Sequence, residues 1–310
     1  MMIKVPAKLV AGDQVEVLVL SAPDAFYNRE QFDKGIAYLK GIGFEVKYRE
    51  NALGVHEYLV APAKEQAAWI MDAFKNSETK GIFLANGGSN LNRVIQYLDF
   101  ETIKNNPKII MGMSNMSILL NAITTKCSLV TYYGPAVIFN LGNPDGLDPY
   151  TERSFINTVL NTDSKAVFEP FSQWQCLKPG VASGEIVGGN LTTIESLIGT
   201  PYEPRWDGAI LFWEDCFMQI HSVDMVLSHF ELAGIFKKIS GMIIGRPLEI
   251  AETEDNPIDL TFEQFVQEYF SDITIPVMYN VDFGHNDEKQ VIPIGKRVEI
   301  NTKELTIREI

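Results

Sequence analysis

Cysteine is scarce: Cys127, Cys176 and Cys216 are the only three in 310 residues. They lie far apart and none forms a C-x-x-C pair, so neither a disulfide framework nor a zinc cluster has its spacing, and buried reduced thiols are expected. Basic residues are in deficit, with 26 Lys and Arg against 40 Asp and Glu and a formal net charge of −14. An acidic surface repels phosphate backbones and anionic headgroups, which argues against nucleic acid and membrane as partners. No run approaches the roughly 20 apolar residues of a transmembrane helix. The start, Met1-Met2-Ile3-Lys4-Val5-Pro6, has no signal-peptide core or cleavage site. A soluble, cytoplasmic protein is expected. The four histidines include no H-E-x-x-H or comparable pair, so no metal is expected, and no cofactor motif is complete.

What is present is ordinary globular material. Hydrophobic residues make up 46% and charged residues 21%, enough for one large domain or two of about 150 residues each. The first half alternates strand and helix patterns. Val15–Leu20, Phe44–Tyr48, Gly81–Ala85 and Lys108–Gly112 read as strands. Arg29–Ile42, Ala63–Phe74, Asn92–Tyr97 and Met116–Ile123 read as helices. That alternation predicts a doubly wound, mostly parallel sheet, an α/β fold with helices on both faces. A connection is expected over Lys165–Trp174, and a smaller, β-rich α+β domain after it. The predicted boundaries are 1–167 for the N-terminal domain and 168–310 for the C-terminal one. In the second, Gly184–Val187, Gly208–Glu214, Met242–Gly245, Pro276–Val281, Arg297–Ile300 and Glu304–Arg308 read as strands, and Ser222–Ala233 as an amphipathic helix. The acidic stretch Glu249–Tyr269 is expected to hold a loop and a helix.

Ligands of a parallel sheet bind beyond the carboxyl ends of its strands. Two loops with unusual chemistry fall there. In Gly112-Met113-Ser114-Asn115 a serine stands at a strand-to-helix turn, beside the free N–H groups of a helix start. This is half of a nucleophile elbow, because Met116 replaces the second glycine of G-x-S-x-G. A serine there is equally a favoured helix N-cap, and the segment alone does not separate the two roles. Gly87-Gly88 ends another strand; it permits close backbone approach to a ligand and is also what a tight turn needs. Glu214 closes the apolar strand Ala209–Trp213, where it could orient another group or lie in solvent. His285, in Asp282-Phe283-Gly284-His285-Asn286, follows the strand ending at Val281, and its side chain suits proton transfer near neutral pH. His56, His221 and His229 read as surface or packing residues.

Together these segments resemble the LD-carboxypeptidase family of serine peptidases, which includes the microcin C immunity peptidases. The resemblance runs from about Leu9 to Gly295 and rests on five blocks. They are Gly87-Gly88-Ser89-Asn90; Leu98-Asp99-Phe100 with Asn106-Pro107-Lys108; Gly112-Met113-Ser114-Asn115; Gly188-Gly189-Asn190-Leu191 with Gly199-Thr200-Pro201-Tyr202; and Leu211-Phe212-Trp213-Glu214-Asp215 followed by Phe283-Gly284-His285. The order and spacing of the set are specific where each block is modest. The resemblance implies Ser114 as nucleophile, His285 as general base and Glu214 as the carboxylate that orients it. It implies an oxyanion hole of backbone N–H groups, placed at Gly88 and Asn115, two domains as read above, no cofactor, and a homodimer. The chain departs from the family at the elbow: Met113 stands for an aromatic and Asn115 for an aspartate, while Ser117 fits.

One branch of the family trims a D-residue from muropeptides in cell-wall recycling, and another cleaves peptidyl- or aminoacyl-nucleotides. The expected substrate is therefore a small peptide, a muropeptide or an aminoacyl-nucleotide. Gly87–Asn90 is closer to the second branch, and so is Trp174, which falls where those relatives set an aromatic against the nucleobase; interdomain packing is the other role for that ring. Two further readings stay open at this level: a non-catalytic two-lobed binder of small anionic ligands, and an amidase or esterase on a non-peptide substrate.

Overall fold

The computed structural model describes residues 3–160, 168–251 and 260–310. Residues 165–167 of the expected connection and 252–259 of the acidic stretch lie outside them, and the expected domain boundary at 167/168 borders the first of these gaps.

The first half supplies β1 (Gln14–Leu18), β2 (Glu45–Tyr48), β3 (Thr79–Leu84), β4 (Ile109–Gly112) and β5 (Thr131–Tyr133), all paired in parallel in the order β2-β1-β3-β4-β5. Gly81–Leu84 of β3 and Ile109–Gly112 of β4 are buried on both faces, as a sheet covered on both sides requires, while the edge strand β2 alternates exposed and half-buried residues. Helix 29–41 buries Phe32, Ile36 and Leu39, the spacing of one helical stripe, and helix 63–75 begins directly after Pro62. The α/β reading holds, with most strand and helix limits displaced by one or two residues and the end of helix 117–127 by four.

The second half supplies β6 (Gln175–Lys178), β7 (Val181–Asn190), β8 (Ile210–Glu214), β9 (Gly241–Gly245), β10 (Val277–Val281), β11 (Ile292–Ile294), β12 (Arg297–Asn301) and β13 (Thr306–Glu309). Six of these join β7 in a seven-stranded sheet ordered β13-β12-β7-β8-β9-β10-β6; the eighth, β11, does not. The centre of that sheet, β7-β8-β9-β10, is parallel, and antiparallel strands close both edges. This half is thus a mixed sheet with a parallel middle, and its central strands obey the same rule for where ligands bind. β11 crosses over instead and pairs antiparallel with β5 at the edge of the first sheet.

Two registers set up the site. Gly112 of β4 lies opposite Tyr133 of β5, and Asn190 of β7 lies opposite Glu214 of β8. A buried apolar cluster runs without a break from Val15 and Tyr133 in the first sheet to Phe212, Val281 and Phe283 in the second half. A separate cluster around Trp213, Leu227 and Phe230 packs helix 220–232 onto the second sheet. Each such large side chain contributes about 1.5–3 kcal/mol on burial, so the shared cluster fixes the two sheets against one another.

Candidate active site

Ser114, Glu214 and His285 stand at or just beyond the carboxyl ends of parallel strands. Ser114 follows β4 by two residues and has φ +60°, a left-handed conformation that costs a non-glycine residue about 1 kcal/mol or more and is typical of a functional turn. A short 3₁₀ turn at Ser114–Met116 leads into helix 117–127. No side chain caps either element, and no hydrogen bond among the described residues uses the Ser114 hydroxyl. The capping role open at the sequence level is therefore not the one Ser114 plays. The β3 loop comes close to it: a Cβ on Gly87 would lie 2.8 Å from the Ser114 Cβ and 2.9 Å from its Oγ, a separation only glycine permits.

Glu214 is the last residue of β8, and its side chain has no solvent exposure. Oε2 lies 2.7 Å from Nδ1 of His285, whose side chain is 17% exposed. A carboxylate can only accept, so Nδ1 carries the proton and Nε2 is left to exchange one. Gly284, at φ +109°, makes room for this pair, because a Cβ there would sit 2.6 Å from Oε2 of Glu214. Burial lowers the His285 pKa, but the Glu214 charge and hydrogen bond, with Asp215 adding to them, outweigh it and leave it above the ordinary 6.5. A base must be neutral to take a proton. With His285 in the role of general base, the acid limb of kcat/KM would inflect above pH 6.5, with activity falling as pH drops through it; a pH–rate profile with its inflection below 6.5 would exclude that role.

The sequence did not point to Tyr133. Its hydroxyl donates to Oε1 of Glu214 at 2.6 Å and accepts the Ser114 N–H at 3.1 Å. The serine turn is thereby tied to the carboxylate through one phenol oxygen, while no hydrogen bond among the described residues joins Ser114 Oγ to the imidazole. Two further bonds fasten the same seam. The Asn190 N–H donates to Ser117 Oγ at 3.1 Å, and Asn121 Nδ2 donates to the Gly188 carbonyl at 2.7 Å. Asn190 also reaches Asp215 Oδ1 at 2.9 Å, and the Thr192 N–H donates to Asp215 Oδ2 at 2.9 Å. Burial and the neighbouring Glu214 charge raise the Asp215 pKa.

Of the expected oxyanion donors, Gly88 sits in the β3 loop against Ser21 and Ala22. Ser21 Oγ accepts the Ser89 N–H at 2.6 Å and bonds the Ser89 carbonyl as well, which latches this loop onto the turn after β1. The Asn115 side chain is occupied: its Oδ1 accepts the Leu91 N–H at 3.1 Å and so joins the elbow to the same loop. Trp174 does not line an open site. The ring is 3% exposed, belongs to the shared apolar cluster and donates its indole N–H to Asp282 Oδ2 at 2.7 Å. Asp282 also accepts the N–H groups of Phe171 and Ser172. Of the two roles read for this ring, the contacts on it are those of packing between the halves.

A serine, a buried carboxylate and an imidazole at the ends of parallel strands are the residue types that serine hydrolases combine. The chain belongs to the LD-carboxypeptidase family: residues 15–134 match the model of its N-terminal domain and residues 183–300 that of its C-terminal domain. It is 29% identical to the probable murein peptide carboxypeptidase of Bacillus subtilis, over 97% of this chain and 92% of that one. It is 27% identical to the microcin C7 self-immunity protein MccF of Escherichia coli, over 98% and 95%. Among solved structures it superposes on MccF in complex with glutamyl sulfamoyl guanosine with a TM-score of 0.88 at 26% identity, covering 97% of each chain. The muramoyltetrapeptide carboxypeptidase of Oxalobacter formigenes gives 0.80 at 26% identity, covering 94% of this chain and 97% of that one. The protein is therefore a serine-type carboxypeptidase of this family, and among the described residues no helix is long and apolar enough to cross a membrane.

Proposed function

We propose that this peptidase hydrolyses an amide bond of a small peptide-derived substrate through an acyl-enzyme on Ser114, with His285 as general base and Glu214 as its orienting carboxylate. The observation that supports this most is the 2.7 Å contact between a fully buried Glu214 and His285, at the strand ends where the strained Ser114 also stands. Nε2 of His285 takes the Ser114 proton as Oγ attacks the carbonyl carbon. Glu214 holds the imidazole in the required tautomer and stabilises the imidazolium. The proton then passes to the leaving amine, the C–N bond breaks, and water activated by the same imidazole releases the acyl group. The oxyanion is received by backbone N–H groups of the Gly87–Gly88 loop and the Ser114–Met116 turn, with the Gly88 and Asn115 N–H groups as the donors.

Muropeptides and aminoacyl-nucleotides are the candidate substrates, since relatives of both descriptions align over nearly the whole chain. A panel containing murein tetrapeptide and an aminoacyl-nucleotide mimic, with products read by mass spectrometry, tests the reading. Cleavage of a terminal amide, lost in His285→Ala, is expected. No amide cleavage, or cleavage untouched by that substitution, would replace it with a binder or an esterase. A cytoplasmic homodimer completes the proposal; light scattering at micromolar concentration should give twice the chain mass.

A further inference from the structure

We propose that Tyr133 is a positioning residue of this site: its one hydroxyl sets the Ser114 turn against the Glu214–His285 pair and decides which groups remain for substrate. The inference rests on the triad reading above. Its geometry is fixed by bonding rules, because the Ser114 N–H can only donate and the Glu214 carboxylate can only accept. The phenol therefore has one arrangement, accepting at 3.1 Å and donating at 2.6 Å. Among the described residues no other hydrogen bond uses it. Tyr133 is 1% exposed, sits on β5 opposite Gly112 of the strand that delivers the serine, and stacks edge to face with Phe212, ring centroids 5.7 Å apart. Phe212 meets Phe283, beside His285, in the same manner at 5.5 Å. The three rings brace β5, β8 and the loop after β10 beneath the site.

Three consequences follow for the chemistry. The Ser114 N–H is committed to the phenol oxygen, so it is withdrawn from any oxyanion. Oε1 of Glu214 is held by the phenol, with Asn190 Nδ2 only at 3.5 Å, which leaves Oε2 for the imidazole. The phenol also remains a donor across the working pH range, since burial and the adjacent Glu214 raise its pKa well above the ordinary 10.

Tyr133→Phe removes one oxygen and keeps the ring. Unshielded by the phenol, Glu214 draws the His285 proton more strongly. Asp215 at the end of β8 and Lys289 in the histidine's own loop, the other charged groups acting on the imidazole, are unchanged in the variant. We expect kcat to fall about tenfold or more with KM changed less than about threefold. The acid limb should rise by about half a unit, and the His285 imidazole resonance should titrate higher by the same amount. Phe212→Leu disturbs the same packing without touching the hydroxyl, and its acid limb should stay in place. An unshifted His285 titration in Tyr133→Phe, an equal shift in Phe212→Leu, or loss of the fold in Tyr133→Phe would each overturn the proposal, the last by making the hydroxyl structural. The titration needs no turnover: an inactive wild-type enzyme would sink the peptidase reading while the shift still reports on Tyr133.

Discussion

Ser114→Ala is expected to lower kcat/KM by about a thousandfold or more, while Asn115→Asp changes it by less than about tenfold. The two neighbours separate because they are used differently. Ser114 Oγ holds no hydrogen bond among the described residues, so alanine leaves no buried group unsatisfied, and the fold should keep its stability within about 0.5 kcal/mol. Asn115 is a fastener, its Oδ1 accepting the Leu91 N–H, and an aspartate oxygen accepts that bond equally well. Ser117, the next hydroxyl along the chain, is fully buried and already receives the Asn190 N–H, so it cannot stand in as nucleophile. Both variants should be measured with one substrate at one pH, beside their melting curves. Comparable activity in the two would reduce Ser114 to a turn residue.

Glu214→Gln should be nearly as damaging, lowering kcat by about 10³–10⁴-fold. Glu214 accepts from two donors at once, Tyr133 Oη on Oε1 and His285 Nδ1 on Oε2. An amide has one oxygen, so one of those donors must face an NH₂ group instead. If that donor is the imidazole, it turns to the wrong tautomer. If it is Tyr133, the serine turn loses its tether. The substitution also removes the charge that raises the His285 pKa, so the residual activity should carry its acid limb at lower pH than wild type. This is opposite in sign to the shift expected for Tyr133→Phe. A pH profile of the variant with the limb unmoved, or with kcat within tenfold of wild type, would show that Glu214 does not act on the imidazole.

The sequence makes the site legible where side chains end strongly patterned strands. β4 and β8 are unbroken apolar runs, and Ser114 and Glu214 are the first polar groups beyond or at their ends, where a parallel sheet exposes its loops. His285 follows β10 in the same way. Tyr133 is hidden because β5 is three residues long, too short to carry a period, and its partner carboxylate lies 81 positions away. β11 is invisible for the same reason: three residues that pair with β5, at the edge of the first sheet. The parallel middle of the second sheet depends on pairing between strands separated by tens of residues, which local pattern does not encode. Trp174 is likewise not settled by local pattern. A tryptophan at a connection gives no local sign of its partners, and its burial and its bond to Asp282, 108 positions on, depend on tertiary packing.

The most direct measurement traps the acyl group. An ester substrate, acylating faster than the amide, should let the covalent species accumulate; acid quench followed by intact and peptide mass spectrometry then locates it. The predicted result is a mass gain equal to the acyl fragment on the peptide containing Ser114, absent in Ser114→Ala and in His285→Ala. An acyl adduct on another residue, or turnover with a pre-steady-state burst and no adduct on Ser114, would contradict it.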